Sequence, residues 1–105
     1  MLFDQGTPNP LRWLLTGHDV STAHERGWST LRNGELLREA ERDGYEVLVT
    51  TDGNLQYQQN LQDRRLAIVV LLSTSWPRIQ RSIRAVADAV GAATPGSYTE
   101  VDIPQ

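Results

Sequence analysis

Two aspartates stand where short apolar runs stop. Val47-Leu48-Val49-Thr50-Thr51 ends at Asp52, with Gly53 and Asn54 behind it, and Leu2-Phe3 ends at Asp4, with Gln5 and Gly6 behind it. A continuously apolar, β-branched run of this length reads as a strand buried on both faces, here Glu46 to Thr51. In open α/β sheets, ligands bind just outside the carboxyl ends of the strands. Two such carboxylates therefore predict an acidic site at one edge of a sheet. Hard divalent cations such as magnesium take oxygen ligands and keep several waters, so two or three converging carboxylates suffice. Glu35 joins the pair as a third if its helix starts at the same edge. Asn54 lies two residues past Asp52 and offers a carbonyl oxygen, and Asn33 is similarly placed beside Glu35. The plainer reading of each is local: Asp4 and Asp52 cap the helices that follow them, and Glu35 complements a helix dipole.

The other chemistry-bearing side chains form weaker patterns. His18 and His24 are six residues apart, which suits no metal motif, and both read as surface or loop histidines. Ser73-Thr74-Ser75 serves either phosphate binding at a strand end or capping of the next helix. Trp28 and Trp76 have the ring types that stack on bases, although core or loop packing is the plainer account. No phosphate loop, dinucleotide fingerprint, nucleophile elbow or zinc pattern is present.

These residues need elements to hold them. Met1 to Phe3 reads as a first strand. Thr7-Pro8 opens a helix through about Leu15, with Leu11, Trp13, Leu14 and Leu15 as its apolar set and Gly17 as its stop. His18 to Ser21 is a short strand, and Ala23 to Ser29 a loop. Asn33 is placed to cap a helix from Gly34 to about Asp43, with Leu36, Leu37 and Ala40 inward. After the Asp52 strand, Asn54 to Gln62 reads as a short helix and Leu66 to Leu72 as a central parallel strand. Pro77 and Gly91 bracket one helix, with Ile79, Ile83, Val86, Ala87 and Val90 at helical spacing. Pro95-Gly96 marks a turn, and Tyr98 to Ile103 alternates as a last edge strand. Strands alternating with helices predict a mostly parallel sheet with helices on both faces.

The totals set bounds. The 105 residues suit one domain spanning 1–105. Without cysteine there are no disulfides and no thiolate metal sites. No apolar run approaches the roughly 20 residues of a membrane span, and the N-terminus lacks a signal-peptide pattern. A cytoplasmic protein is expected. The net charge of −3 argues against broad electrostatic capture of nucleic acid. The balance is uneven, however: all 10 basic residues are arginine, and Arg64, Arg65, Arg78, Arg81 and Arg84 fall between Leu61 and Val90 against Asp63 and Asp88. Arginine suits bidentate phosphate contacts; a solvated helix face is the plainer account.

In order along the chain, Leu2-Phe3-Asp4-Gln5 with Pro8, Gly17-His18-Asp19-Val20, Gly34-Glu35-Leu36-Leu37 and Val47-Leu48-Val49-Thr50-Thr51-Asp52 together resemble a small bacterial PIN-like family. That family is related to the VapC-type toxins and the PIN-domain nucleases. The resemblance implies a three-layer α/β/α sandwich and a magnesium- or manganese-dependent nuclease acting on RNA. It implies a toxin of a toxin–antitoxin pair, hence an antitoxin protein as partner. Matched by position, the family's acidic residues fall on Asp4, Glu35 and Asp52, which would hold metal and carry catalysis. Asn54 and Asn33 stand where many relatives have acids. Each amide keeps an oxygen but removes a charge, which lowers metal affinity and favours an alternative: a catalytically weakened module that binds RNA or a protein. PIN relatives often dimerise, and the edge strand at Thr99 to Ile103 offers a surface for a homodimer.

Overall fold

A computed structural model describes residues 1–55, 61 and 64–104. Among these residues, five strands form one sheet: β1 Leu2–Phe3, β2 Ser21–Thr22, β3 Val47–Thr50, β4 Ala67–Leu71 and β5 Tyr98–Val101. Their order is β2-β1-β3-β4-β5, and every neighbouring pair is parallel. Among the described residues the helices are α1 Asn33–Arg42, α2 Trp76–Arg81 and α3 Ile83–Gly91, with a 3-10 helix at Asn9–Trp13.

Side chains alternate across the strands, and the two sets feed two cores. Phe3, Val49, Val69 and Leu71 pack with Leu11, Leu15, Ile79, Val86 and Val90, so α2, α3 and the 3-10 helix cover one face. Leu2, Leu48, Ile68 and Val70 pack with Leu36, Leu37 and Ala40, so α1 covers the other. The result is a three-layer α/β/α arrangement. Burial on both faces accounts for the unbroken apolar runs of β3 and β4, all of whose residues are buried except half-buried Val47.

Several elements differ from the sequence expectation. The helix expected over Thr7 to Leu15 is a short 3-10 turn, closed by Leu11 N–H to Pro8 O at 3.1 Å and Leu14 N–H to Leu11 O at 3.0 Å. Pro10 disfavours α-helical backbone at Asn9, and the turn closes through i→i+3 bonds instead. Of its expected apolar set, Leu11 and Leu15 are buried, whereas Trp13 is 74% exposed. The second strand lies at Ser21–Thr22 rather than His18 to Ser21, and His18 is exposed. Its register is fixed by Ser21 N–H to Met1 O at 3.0 Å and Ala23 N–H to Phe3 O at 2.8 Å.

The single helix expected from Pro77 to Gly91 is two. At the junction, Ser82 N–H reaches both Arg78 O at 3.2 Å and Ile79 O at 3.0 Å. This tightening leaves the 79/83/86/90 apolar spacing intact, so the break was invisible in the pattern. The expected helix from Asn54 to Gln62 falls mostly outside the described residues. Leu55, at its start, is buried with the α1-side core.

Candidate functional site

The strand order decides which strand ends meet. β1 lies between β2 and β3, and the chain passes to opposite sides of it. In an open sheet of order 2-1-3-4-5 the topological switch point falls between β1 and β3, and ligands bind in the crevice there. Asp4 follows β1 directly and Asp52 lies two residues beyond β3. The two aspartates therefore flank the switch point.

Asp4 continues the β1–β3 ladder by one residue, its N–H donating to Val49 O at 3.0 Å. That register places it opposite Thr50. Thr50 is buried and donates its hydroxyl to Asp4 Oδ2. The same hydroxyl oxygen accepts the Asp52 N–H at 3.1 Å. One threonine thus ties both aspartates together. Asp4 Oδ1 accepts from Thr7 Oγ1 at 2.7 Å, and that hydroxyl also lies 3.0 Å from Val49 O. The turn carrying these groups runs close against β3: a Cβ added at Gly6 would stand 2.8 Å from Thr51 Oγ1. Burial raises the Asp4 pKa above its ordinary 3.8, while the hydrogen bonds from Thr50 and Thr7 pull it back down.

Asp52 is held by amides. Its Oδ2 accepts from Asn33 Nδ2 at 2.8 Å, and its Oδ1 accepts the Asn54 N–H at 3.0 Å. The second contact closes an Asx turn; the helix that Asp52 was expected to cap lies mostly outside the described residues. Asn33 was expected to cap its helix. It is instead the first residue of α1, after the N-cap position at Arg32, and its side chain reaches across to the end of β3.

Glu35 has a local role at the start of α1. It is exposed, and its Oε1 accepts the Arg32 N–H at 3.2 Å, which caps α1. Among the described residues no group of three or more histidine, aspartate or glutamate side chains is placed to hold a metal. The structure brings Asp4 and Asp52 together, adds Asn54 through its backbone, and leaves Glu35 at the helix start. The ion pairs of the described residues, Arg12–Glu25, Arg26–Asp43, Arg42–Glu39 and Arg64–Glu41, involve neither aspartate. Among the described residues, the hydrogen bonds to both carboxylates come from neutral donors.

Asp4 borders two cavities. One of about 280 Å³ is shared with Gln5, Thr7, Asn9, Thr22, His24 and Glu25. Another of about 110 Å³ extends toward Ser29 and Asn33 at the α1 side. His24 is exposed but lines the same opening as Asp4, a placement its sequence spacing gave no sign of. Glu25 beside it is held by Arg12 at 2.7 Å and by the Thr22 N–H at 2.9 Å, which lower its pKa to about 2. A cavity of about 430 Å³ opens at the opposite, amino edge between Tyr45, Glu46, Arg65 and Thr94, and borders neither aspartate. Trp28 is not free for stacking: it meets Tyr45 edge-on at 6.2 Å and carries the Arg26 guanidinium over its ring at 4.7 Å.

Comparison with family models, curated proteins and solved structures returned no match. The PIN-like resemblance rests on the sequence segments that carry it.

Proposed function

We propose that the protein is a divalent-metal-dependent ribonuclease in which Asp4 and Asp52 hold one magnesium or manganese ion. The observation that carries this reading is the position of two aspartates, joined through Thr50, on either side of the switch point. The donor set fits a hard cation. Carboxylate oxygens are its preferred ligands, and magnesium is commonly bound by one or two carboxylates, with waters and substrate phosphates completing the shell. Neither aspartate is neutralised by an arginine among the described residues. Each carboxylate oxygen that accepts a hydrogen bond keeps a second lone pair. When bound, the ion would supply an activated water and offset charge on the phosphate.

The chain's own residues do the positioning. Thr7 and Thr50 favour the ionised form of Asp4 against its burial. Asn33 fixes the Asp52 carboxylate from the start of α1. The resemblance to PIN-like toxins extends the proposal to a toxin–antitoxin pair, with an antitoxin protein and a second copy at the β5 edge as partners. A small neighbouring gene encoding a helix-turn-helix protein would favour it.

The test is calorimetric titration of magnesium and manganese into wild type and Asp52→Asn, alongside cleavage of single-stranded RNA with and without chelator. Wild type is expected to give metal-dependent heat and cleavage, and Asp52→Asn to lose both. Absence of metal-dependent heat from wild type would sink the nuclease reading. That outcome would favour a second reading, a non-catalytic PIN-like module that binds RNA or protein. Its specific support is that Asn33 satisfies Asp52 with an amide N–H where a further acid would add charge, and that Glu35 is turned to capping.

A further inference from the structure

The α2–α3 arm carries Arg78, Arg81 and Arg84 at three-residue intervals, and Asp88 is the only acid between Trp76 and Gly91. Arg12, Arg26, Arg42 and Arg64 each hold a carboxylate, but none of these three does so among the described residues. The arm packs on the sheet through Ile79, Val86 and Val90. Arg81 and Arg84 are exposed and Arg78 half-buried. The arm also starts in a particular place: the chain leaves the carboxyl end of β4 through residues 72–75 to enter α2, so Arg78 stands near the sheet edge that holds Asp4 and Asp52.

The kind of partner follows from what this face has and lacks. The exposed large apolar residues of the described chain are Trp13, Leu14 and Leu72, none of them on α2 or α3. A protein interface wants an apolar centre, and a membrane-surface helix needs an apolar face to insert. A phosphate polymer needs neither. The six-residue step from Arg78 to Arg84 crosses the Ser82 junction and, at the helical rise, advances about 9 Å, against one charge per roughly 3.4 Å along a stacked nucleic-acid strand. Three guanidinium groups therefore match about three phosphates. With a net charge of −3, attraction to nucleic acid has to be local, and this arm is where cationic charge is least offset.

We propose that Arg78, Arg81 and Arg84 form the surface that holds the phosphate backbone of single-stranded RNA and leads it to the Asp4–Asp52 edge. The proposal rests on the ribonuclease reading for the choice of RNA, and it is tested by binding alone. Fluorescence anisotropy would follow a labelled single-stranded oligoribonucleotide in chelator over a range of salt concentrations. Wild type should bind with a salt-dependent affinity. The combined Arg78→Ala, Arg81→Ala and Arg84→Ala variant should lower the log–log salt slope by about 2, at roughly 0.7 per phosphate contact, and weaken low-salt binding about tenfold or more. Lysine at the same three positions should restore most of the slope, since it supplies the point charge. Wild-type affinity and slope in the triple alanine variant would overturn the proposal, as would failure of wild type to bind RNA in chelator. If the triple variant loses binding while wild type never cleaves, the RNA surface stands and the nuclease reading falls.

Discussion

Asp4 is a carboxylate in a setting that penalises its charge. Burial raises its pKa, and the hydroxyls of Thr50 and Thr7 only partly compensate. A carboxyl group whose folded pKa exceeds its unfolded one binds more protons when folded. Its charge then costs stability as pH rises from the ordinary 3.8 through the raised folded value. An asparagine can keep the local bonds: its carbonyl accepts from Thr50, its amide donates to Thr7 Oγ1, and the Thr7 proton turns to Val49 O, which is 3.0 Å away. Asp4→Asn is therefore expected to melt no lower than wild type at pH 7, with its advantage shrinking as pH falls toward 3.8, while metal-dependent activity is lost. Thermal melts across pH check this, and a variant much less stable than wild type at pH 7 would mark Asp4 as a structural knot. Gain of stability with loss of activity is the usual trade-off at a site that function keeps charged. At this scale the two aspartates were legible in the sequence because each ends an apolar run. Their partners were not. Thr50 is 46 residues from Asp4 and Asn33 is 19 from Asp52, and the hydroxyl and amide in question looked like an ordinary strand residue and a helix cap.

At the scale of elements, the long apolar strands and α1 were legible in the sequence, whereas β2 and the first and last helical stretches were not. β3 and β4 advertise themselves by unbroken apolar runs, and only their end residues shift. The helical stretches depend on details that apolar spacing does not carry: paired prolines reduce the first to a 3-10 turn, and Ser82 divides the last. The turn into β5 shows how one residue sets an element. Gly96 has φ 78°, donates its N–H to Arg65 O at 2.9 Å, and would place a Cβ 2.7 Å from Arg64 O. The obstacle is backbone just before β4, so it cannot swing aside. Gly44 has a similar φ of 83° with nothing within 4 Å of a built Cβ. Gly44→Ala should cost about 1 kcal/mol, the left-handed penalty alone. Gly96→Ala adds a steric clash and should cost about 2 kcal/mol or more, because β5 must shift against β4. Urea denaturation of both variants separates the two, and equal costs would mean that the β4–β5 turn relaxes freely.

At the scale of the whole molecule, the parallel sheet was readable from alternating strands and helices, but the strand order was not, and the order makes the site. Asp4 and Asp52 are neighbours only because β1 pairs with β3, and Asn33 reaches Asp52 only because α1 begins at that same edge. Residues from the ends of β1 and β3 and the start of α1 converge in the folded chain and are separated in the unfolded one. A cation that binds this arrangement and not the unfolded chain must stabilise the whole fold through linkage. At a metal concentration about 100 times Kd the gain is about 2.7 kcal/mol. For a domain of this size that corresponds to a rise in Tm of about 10 °C. Wild type should show that rise with magnesium or manganese, scaling with the logarithm of metal concentration. Asp4→Asn and Asp52→Asn should show none of it, although Asp4→Asn starts no lower at pH 7. Thermal melts over a metal titration provide the measurement. An equal rise in all three proteins would place the cation elsewhere on the surface, and no rise in any of them would remove the metal from the proposed mechanism.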